Sequence, residues 1–187
     1  MARIPLLSSA EGLTPEQRVV FDAVIAGRRG KVQGPLMAAL HRPELADKWQ
    51  QLGEVLRYRT SLPPRLSELA ILVTARAWNC QLEWYLHEGF AREVGLEQAI
   101  IDAVRLGRRP DSSDEDVLAV HDFCHELQRD KFVSEPTYQR ALQRLKTVGV
   151  VELTALSGYY TMVAMTLNAH EFPLPEEAER ALGPVET

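Results

Sequence analysis

Cysteine is scarce in this chain: Cys80 and Cys124 are its only two in 187 residues. Two are too few for a disulfide framework or a cysteine-based zinc site, so reduced thiols are expected. Long apolar runs are also lacking, with no stretch of about 18 consecutive apolar residues, and the N-terminus MARIPLLSSAEGL has no sustained apolar core like that of a signal peptide. A cytoplasmic protein without a membrane partner is therefore expected. There is no basic excess either: the net charge of -5 argues against a nucleic-acid surface, which needs clustered Lys and Arg to neutralise phosphates. The compact basic patch Arg28, Arg29 and Lys31 lies among Gly27, Gly30 and Gly34 and reads as a solvated loop. No segment alternates apolar and polar residues with a period of two, which excludes an extensive sheet and leaves an all-α fold.

The composition is that of a folded chain, since 45% hydrophobic and 25% charged residues exclude disorder. One domain is expected for this length. Thr14-Pro15-Glu16-Gln17 has the pattern of a helix start, with Thr14 as N-cap, Pro15 in the first turn and Gln17 closing a capping box; Val19, Val20, Ala23 and Val24 form its apolar stripe. Gly27 to Gly34 breaks the pattern. Pro35 to Leu40 is a short apolar piece, and Pro43 to Tyr58 carries Leu45, Trp49, Leu52 and Leu56 at helical spacing. Pro63 and Pro64 end that run. Arg65 to Trp78 is apolar nearly all round, as a central helix is. Asn79 is placed to cap a following helix that runs to Val94 and stops at Gly95. Further helices are expected over Glu97–Leu106, from a cap at Asp111 or Ser113 to Arg129, from Ser134 to Lys146, and, after Gly149, from Val151 to Ala169. The domain reading is an extension over 1–34, a helical domain over 35–175 and a tail over 176–187. A loose echo between the segments ending in His87-Glu88 and His170-Glu171 allows two similar helical halves.

Chemistry is concentrated between Glu68 and His87. On a continuous helix Cys80, Glu83 and His87 share an arc of roughly 60° that also takes in Arg76. Glu68 would then lie about 29 Å from His87. Only a bend near Asn79 brings it to the cluster. Cys80, at the start of a helix, is either a thiol tuned toward thiolate or a small buried hydrophobe. Glu83 and His87, four residues apart, are placed to share a proton, with a solvated surface pair as the alternative. Trp84 is a packing residue or a wall for substrate. Arg57, Arg59, Arg65 and Arg76 lie near this stretch, and Arg76 is the best placed of them to bind a carboxylate. His121, Asp122, His125 and Glu126 have helical metal-ligand spacing but no evident third ligand, so no metal site is assigned.

The order Glu68, Cys80, Glu83, His87, together with LPPRLSELAILVTARAW and GVVELTALSGYY, resembles the active-site pattern of the carboxymuconolactone decarboxylase and alkyl hydroperoxidase D superfamily. The resemblance covers most of residues 35 to 175. In the peroxidase pattern the position of Glu83 is a second cysteine, and a carboxylate cannot resolve a sulfenate. Glu83 instead matches the decarboxylase-like branch. The resemblance thus implies an all-α alkyl hydroperoxidase D-like bundle, a homo-oligomer such as a trimer or hexamer, and no organic cofactor. It further implies a lyase or isomerase acting on a carboxylated lactone or unsaturated acid of aromatic ring cleavage. His87, Glu83, Cys80 and Glu68 would be its catalytic group, and Arg76 and Trp84 its substrate contacts. A thiol peroxidase using Cys80, or a non-catalytic oligomer that binds a small acid, is the rival reading.

Overall fold

The computed structural model describes residues 1–184, which carry eight helices and no strand. These are α1 (Pro15–Ala26), α2 (Leu36–Ala39), α3 (Pro43–Tyr58), α4 (Pro64–Ala77), α5 (Gln81–Glu93), α6 (Gln98–Arg105), α7 (Glu115–Asp130) and α8 (Glu135–Ala169). The all-α expectation holds. The chain divides into two compact units: Met1–Arg59 with Thr166–Pro173, and Thr60–Met165 with the C-terminal segment from Leu174. The first division falls at Arg59.

In the first unit α1 and α2 pack on α3. The capping box forms as its residues dictate: Thr14 accepts from the Gln17 backbone while the Gln17 side chain accepts from Thr14 N–H. The buried stripes differ from the expected ones. On α1 they are Val20, Phe21 and Val24, with Val19 left in solvent, and on α3 they are Ala46, Trp49, Gly53 and Leu56, with Leu45 and Leu52 half exposed. Small residues at 46 and 53 let α3 approach its neighbours closely, which rotates the buried face away from the leucines.

The second unit is built round α4, which packs against α5, α6 and α7. Leu69, Ala70, Leu72 and Ala75 are wholly buried, as a helix apolar on every side requires. Glu68 and Thr74 are the polar exceptions; Thr74 satisfies its hydroxyl on the Ala70 carbonyl. The helix then ends abruptly. Asn79 takes a left-handed φ of 46°, its N–H bonds to Arg76 O at 3.0 Å, and Cys80 N–H bonds back to Ala75 O at 2.9 Å. This is a Schellman stop, with asparagine in the place usually taken by glycine. Asn79 is therefore the C-terminal turn of α4 and not the N-cap of α5, a position that Cys80 occupies.

Two further starts and breaks differ from expectation. Asp114, and neither Asp111 nor Ser113, caps α7, accepting from Asp116 N–H and Val117 N–H. Lys146, not Gly149, interrupts α8, with φ 62° and ψ 175°. Gly149 serves a different purpose, since a Cβ there would stand 2.8 Å from Leu145 Cβ across that kink. Beyond the kink the chain is helical to Ala169, so its echo of 68–88 does not reproduce the break at Asn79. By length and composition alone α8 is long and apolar enough to cross a membrane, but half of its most apolar window is buried inside the protein, as in a core helix.

If the turn at Asn79 sets the geometry, Asn79→Gly should leave stability nearly unchanged. Asn79→Val should cost about 1–2 kcal/mol, because a β-branched side chain is strained in the left-handed region. Urea denaturation checks both.

Candidate active site

The reversal at Asn79 turns α5 back along α4 and brings together two residues nineteen positions apart. His87 Nδ1 lies 2.6 Å from Glu68 Oε2, with both side chains buried. An ionised carboxylate only accepts, so with Glu68 ionised the imidazole carries its proton on Nδ1 and presents Nε2 as a base. Edge contacts from Tyr160, at 4.9 Å between ring centroids, and from Phe90, at 5.6 Å, hold the ring's plane. The expected proton partner of His87 was Glu83. In the folded chain that partner is Glu68, which the bend brings within reach.

Glu83 has a different environment. It is fully buried in the first turn of α5, and neither of its carboxyl oxygens makes a hydrogen bond among the described residues. Burial holds its proton affinity well above the usual carboxylate range, and the nearby Cys80 thiol offsets this only in part. Burial thus favours the neutral, proton-donating form of Glu83.

Cys80, expected either as an activated thiol or as a buried hydrophobe, is 1% exposed. Its pKa is pushed up to about 12, first by burial and then by the Glu83 carboxyl beside it. The N–H groups of Leu82 and Glu83 at the start of α5 pull the other way, as a helix N-terminus should, without offsetting either effect. The thiol is protonated at rest. Cys124, the other cysteine, faces Ser157 Oγ at 3.4 Å, and burial raises its pKa to about 12 as well.

Trp84 is wholly buried, donates to Glu88 at 3.2 Å and lies beneath the Arg105 guanidinium, so it packs the wall behind the site. Arg76 does not join the cluster. The left-handed turn takes it off the arc that a continuous helix would have given, and it donates instead to Pro184 O at 3.0 Å and Gly183 O at 3.3 Å. Arg65 pairs with Asp114. The candidate metal residues are engaged elsewhere: Asp122 takes Arg109 and Arg140, and Glu126 takes Ser134 and Thr137. Among the described residues no group of three or more His, Cys, Asp or Glu converges as a metal site. Tyr160 was not singled out from sequence, although it lies in the GYY of the segment that carries the resemblance.

The helical fold is that of alkyl hydroperoxidase D-like proteins. Three solved structures share the fold across almost the whole chain. The alkylhydroperoxidase AhpD core protein of Ralstonia eutropha JMP134, described as peroxidase-related, is 16% identical with a TM-score of 0.74, covering 94% of this chain and 93% of its own. A peroxidase-related protein of Silicibacter sp. TM1040 is 14% identical with a TM-score of 0.72, covering 92% and 93%. The debrominase Bmp8, in a cysteine-to-alanine variant with 2,3,4-tribromopyrrole, is 11% identical with a TM-score of 0.73, covering 92% of each chain. No curated protein matches in sequence. The family model for the carboxymuconolactone decarboxylase family matches residues 43–121, a stretch that includes Glu68, Cys80, Glu83 and His87.

The buried Glu83 has a measurable consequence for stability. Its native pKa lies above the ordinary 4.5, so between 4.5 and the raised value the native state binds more protons than the unfolded chain. The contribution of Glu83 to stability should be greatest below 4.5 and fall as pH rises above it, with a slope approaching about 1.4 kcal/mol per pH unit for one proton. In Glu83→Gln that part of the slope should vanish, as read from urea midpoints over the same range.

Proposed function

We propose that the chain is a cofactor-independent carboxy-lyase or isomerase that moves protons on a carboxylated lactone or a related unsaturated acid from aromatic ring cleavage. The observation that carries this reading is the buried 2.6 Å Glu68–His87 pair, with the buried Glu83 carboxyl one turn before His87 on α5. Loss of CO2 leaves an electron pair on carbon, which a conjugated carbonyl spreads until an acid protonates it. His87, oriented through Nδ1 by Glu68, can take a proton at Nε2 and return it, and Glu83 can supply a second. Isomerisation of a double bond uses the same pair without breaking a carbon–carbon bond.

A thiol peroxidase acting through Cys80 is the second reading, and the descriptions of two structural neighbours as peroxidase-related favour it. Weighing against it are the protonated thiol and the carboxyl at the position where a resolving cysteine would be needed. The proposal includes a cytoplasmic homo-oligomer, a trimer or hexamer, and the half-exposed Leu45, Leu52 and Val55 on α3 support an apolar contact between copies.

Screening the purified protein on lactones and unsaturated diacids, with ultraviolet absorbance and CO2 release read together, identifies the reaction, absorbance change without CO2 meaning isomerisation. On the substrate found, His87→Gln should lower kcat by about a hundredfold or more, as for loss of a general acid–base. Cys80→Ser should leave kcat within about tenfold of the parent. The reverse pattern would establish the thiol reading instead.

A further inference from the structure

A second feature of the same unit is not used by the proton-transfer site. On α4, at about 100° per residue, Val73, Arg76 and Ala77 centre roughly 130° away from Glu68. That face, the end of α6 with the following loop, α7 and the C-terminal Gly183–Pro184 enclose a cavity of about 440 Å³. Arg76, Arg105, Arg108, Arg129, His121 and His125 line it, and no acidic residue does among the described residues. The remaining walls are largely apolar, Val73 and Val104 among them. His121 and His125 stack with planes 10° apart, which gives the cavity a flat side.

The charges around this cavity are unevenly compensated. Arg105 is paired with Glu88 and Asp102, and Arg129 with Asp130. Among the described residues Arg76 and Arg108 have no carboxylate partner. Arg76 is met only by the neutral carbonyls of Gly183 and Pro184, which accept hydrogen bonds without neutralising its charge. The Nε–H groups of Arg76 and Arg105 are both buried and make no hydrogen bond. Two orphaned donors on cations that line one cavity are a costly arrangement, and an oxyanion would relieve it. A carboxylate or phosphate can take two parallel N–H bonds from a guanidinium.

We propose that this cavity binds the oxyanion group, carboxylate or phosphate, of a small molecule with a compact apolar or aromatic body. Arg76 and Arg108 hold the charge, and the stacked His121–His125 pair with the apolar wall takes the body. The site is separate from the proton-transfer residues, since Glu68, Cys80, Glu83 and His87 do not line it. Its occupancy therefore does not depend on the reading of their chemistry.

Isothermal titration calorimetry of the full chain with benzoate, phenyl phosphate and the neutral benzamide tests this. At least one of the two anions should bind with one site per chain and at least about tenfold more tightly than benzamide, a charge-assisted hydrogen bond being worth that much. The tighter of the two identifies the oxyanion. Arg76→Gln and Arg108→Gln should each weaken that anion by about tenfold or more, whereas His87→Gln should change it by less than about twofold. Arg108 is exposed, so its variant should fold even if replacing Arg76 disturbs the C-terminal segment. The proposal is overturned if neither anion binds, if benzamide binds equally well, if Arg108→Gln is without effect, or if His87→Gln abolishes binding.

Discussion

The hydrogen bond between His87 and Glu68 exists because the chain leaves α4 through a left-handed residue. Without that turn, α4 and α5 would form one rod and the two side chains would be separated by about 29 Å. With it, they meet at 2.6 Å in the buried interior. The energetic requirement is small, an asparagine in a region it tolerates better than most residues, and the consequence is large. The turn also puts Cys80 at the N-cap of α5 and buries Glu83 one turn on. The whole polar cluster is thus a product of how one helix ends.

Burial then decides what each group can do. A thiol at a helix start is usually helped toward thiolate, and the N–H groups of Leu82 and Glu83 do act in that direction at Cys80. They are outweighed by loss of solvent and by the neighbouring carboxyl. Burial outweighs the small help that the Cys80 thiol gives the charged form of Glu83, and holds its proton affinity well above the usual carboxylate range. His87 has in Glu68 a partner that fixes its tautomer. The result is an imidazole oriented by Glu68 and, one turn before it on α5, a carboxyl held toward its neutral form, and this arrangement supports the proposed proton transfer over thiol chemistry.

Local features were readable where the determinant is local. The Thr14–Gln17 box depends on residues three apart and formed as its sequence requires. The need for a bend at Asn79 followed from spacing alone, because Glu68 and His87 cannot otherwise meet. Its mechanism did not, since asparagine serves both as an N-cap and as a left-handed stop, and only the backbone distinguishes the two. The kink at Lys146 had no composition signal, for lysine is an ordinary helix former and nearby Gly149 drew the expectation instead. Arg76 was assigned to the cluster because the arc was drawn on an unbroken helix. The basic cavity it does line is assembled from positions 73–77, 104–108, 121–129 and 183–184, and no local pattern connects them.

The central claim is that the turn at Asn79 places a carboxylate on His87 Nδ1 and that this carboxylate belongs to Glu68. Proton NMR of the imidazole N–H region tests it most directly. A strongly downfield Nδ1 proton should be present in the parent protein, persist in Glu83→Gln and disappear in Glu68→Ala. A downfield proton that survives Glu68→Ala but is lost in Glu83→Gln would contradict the account.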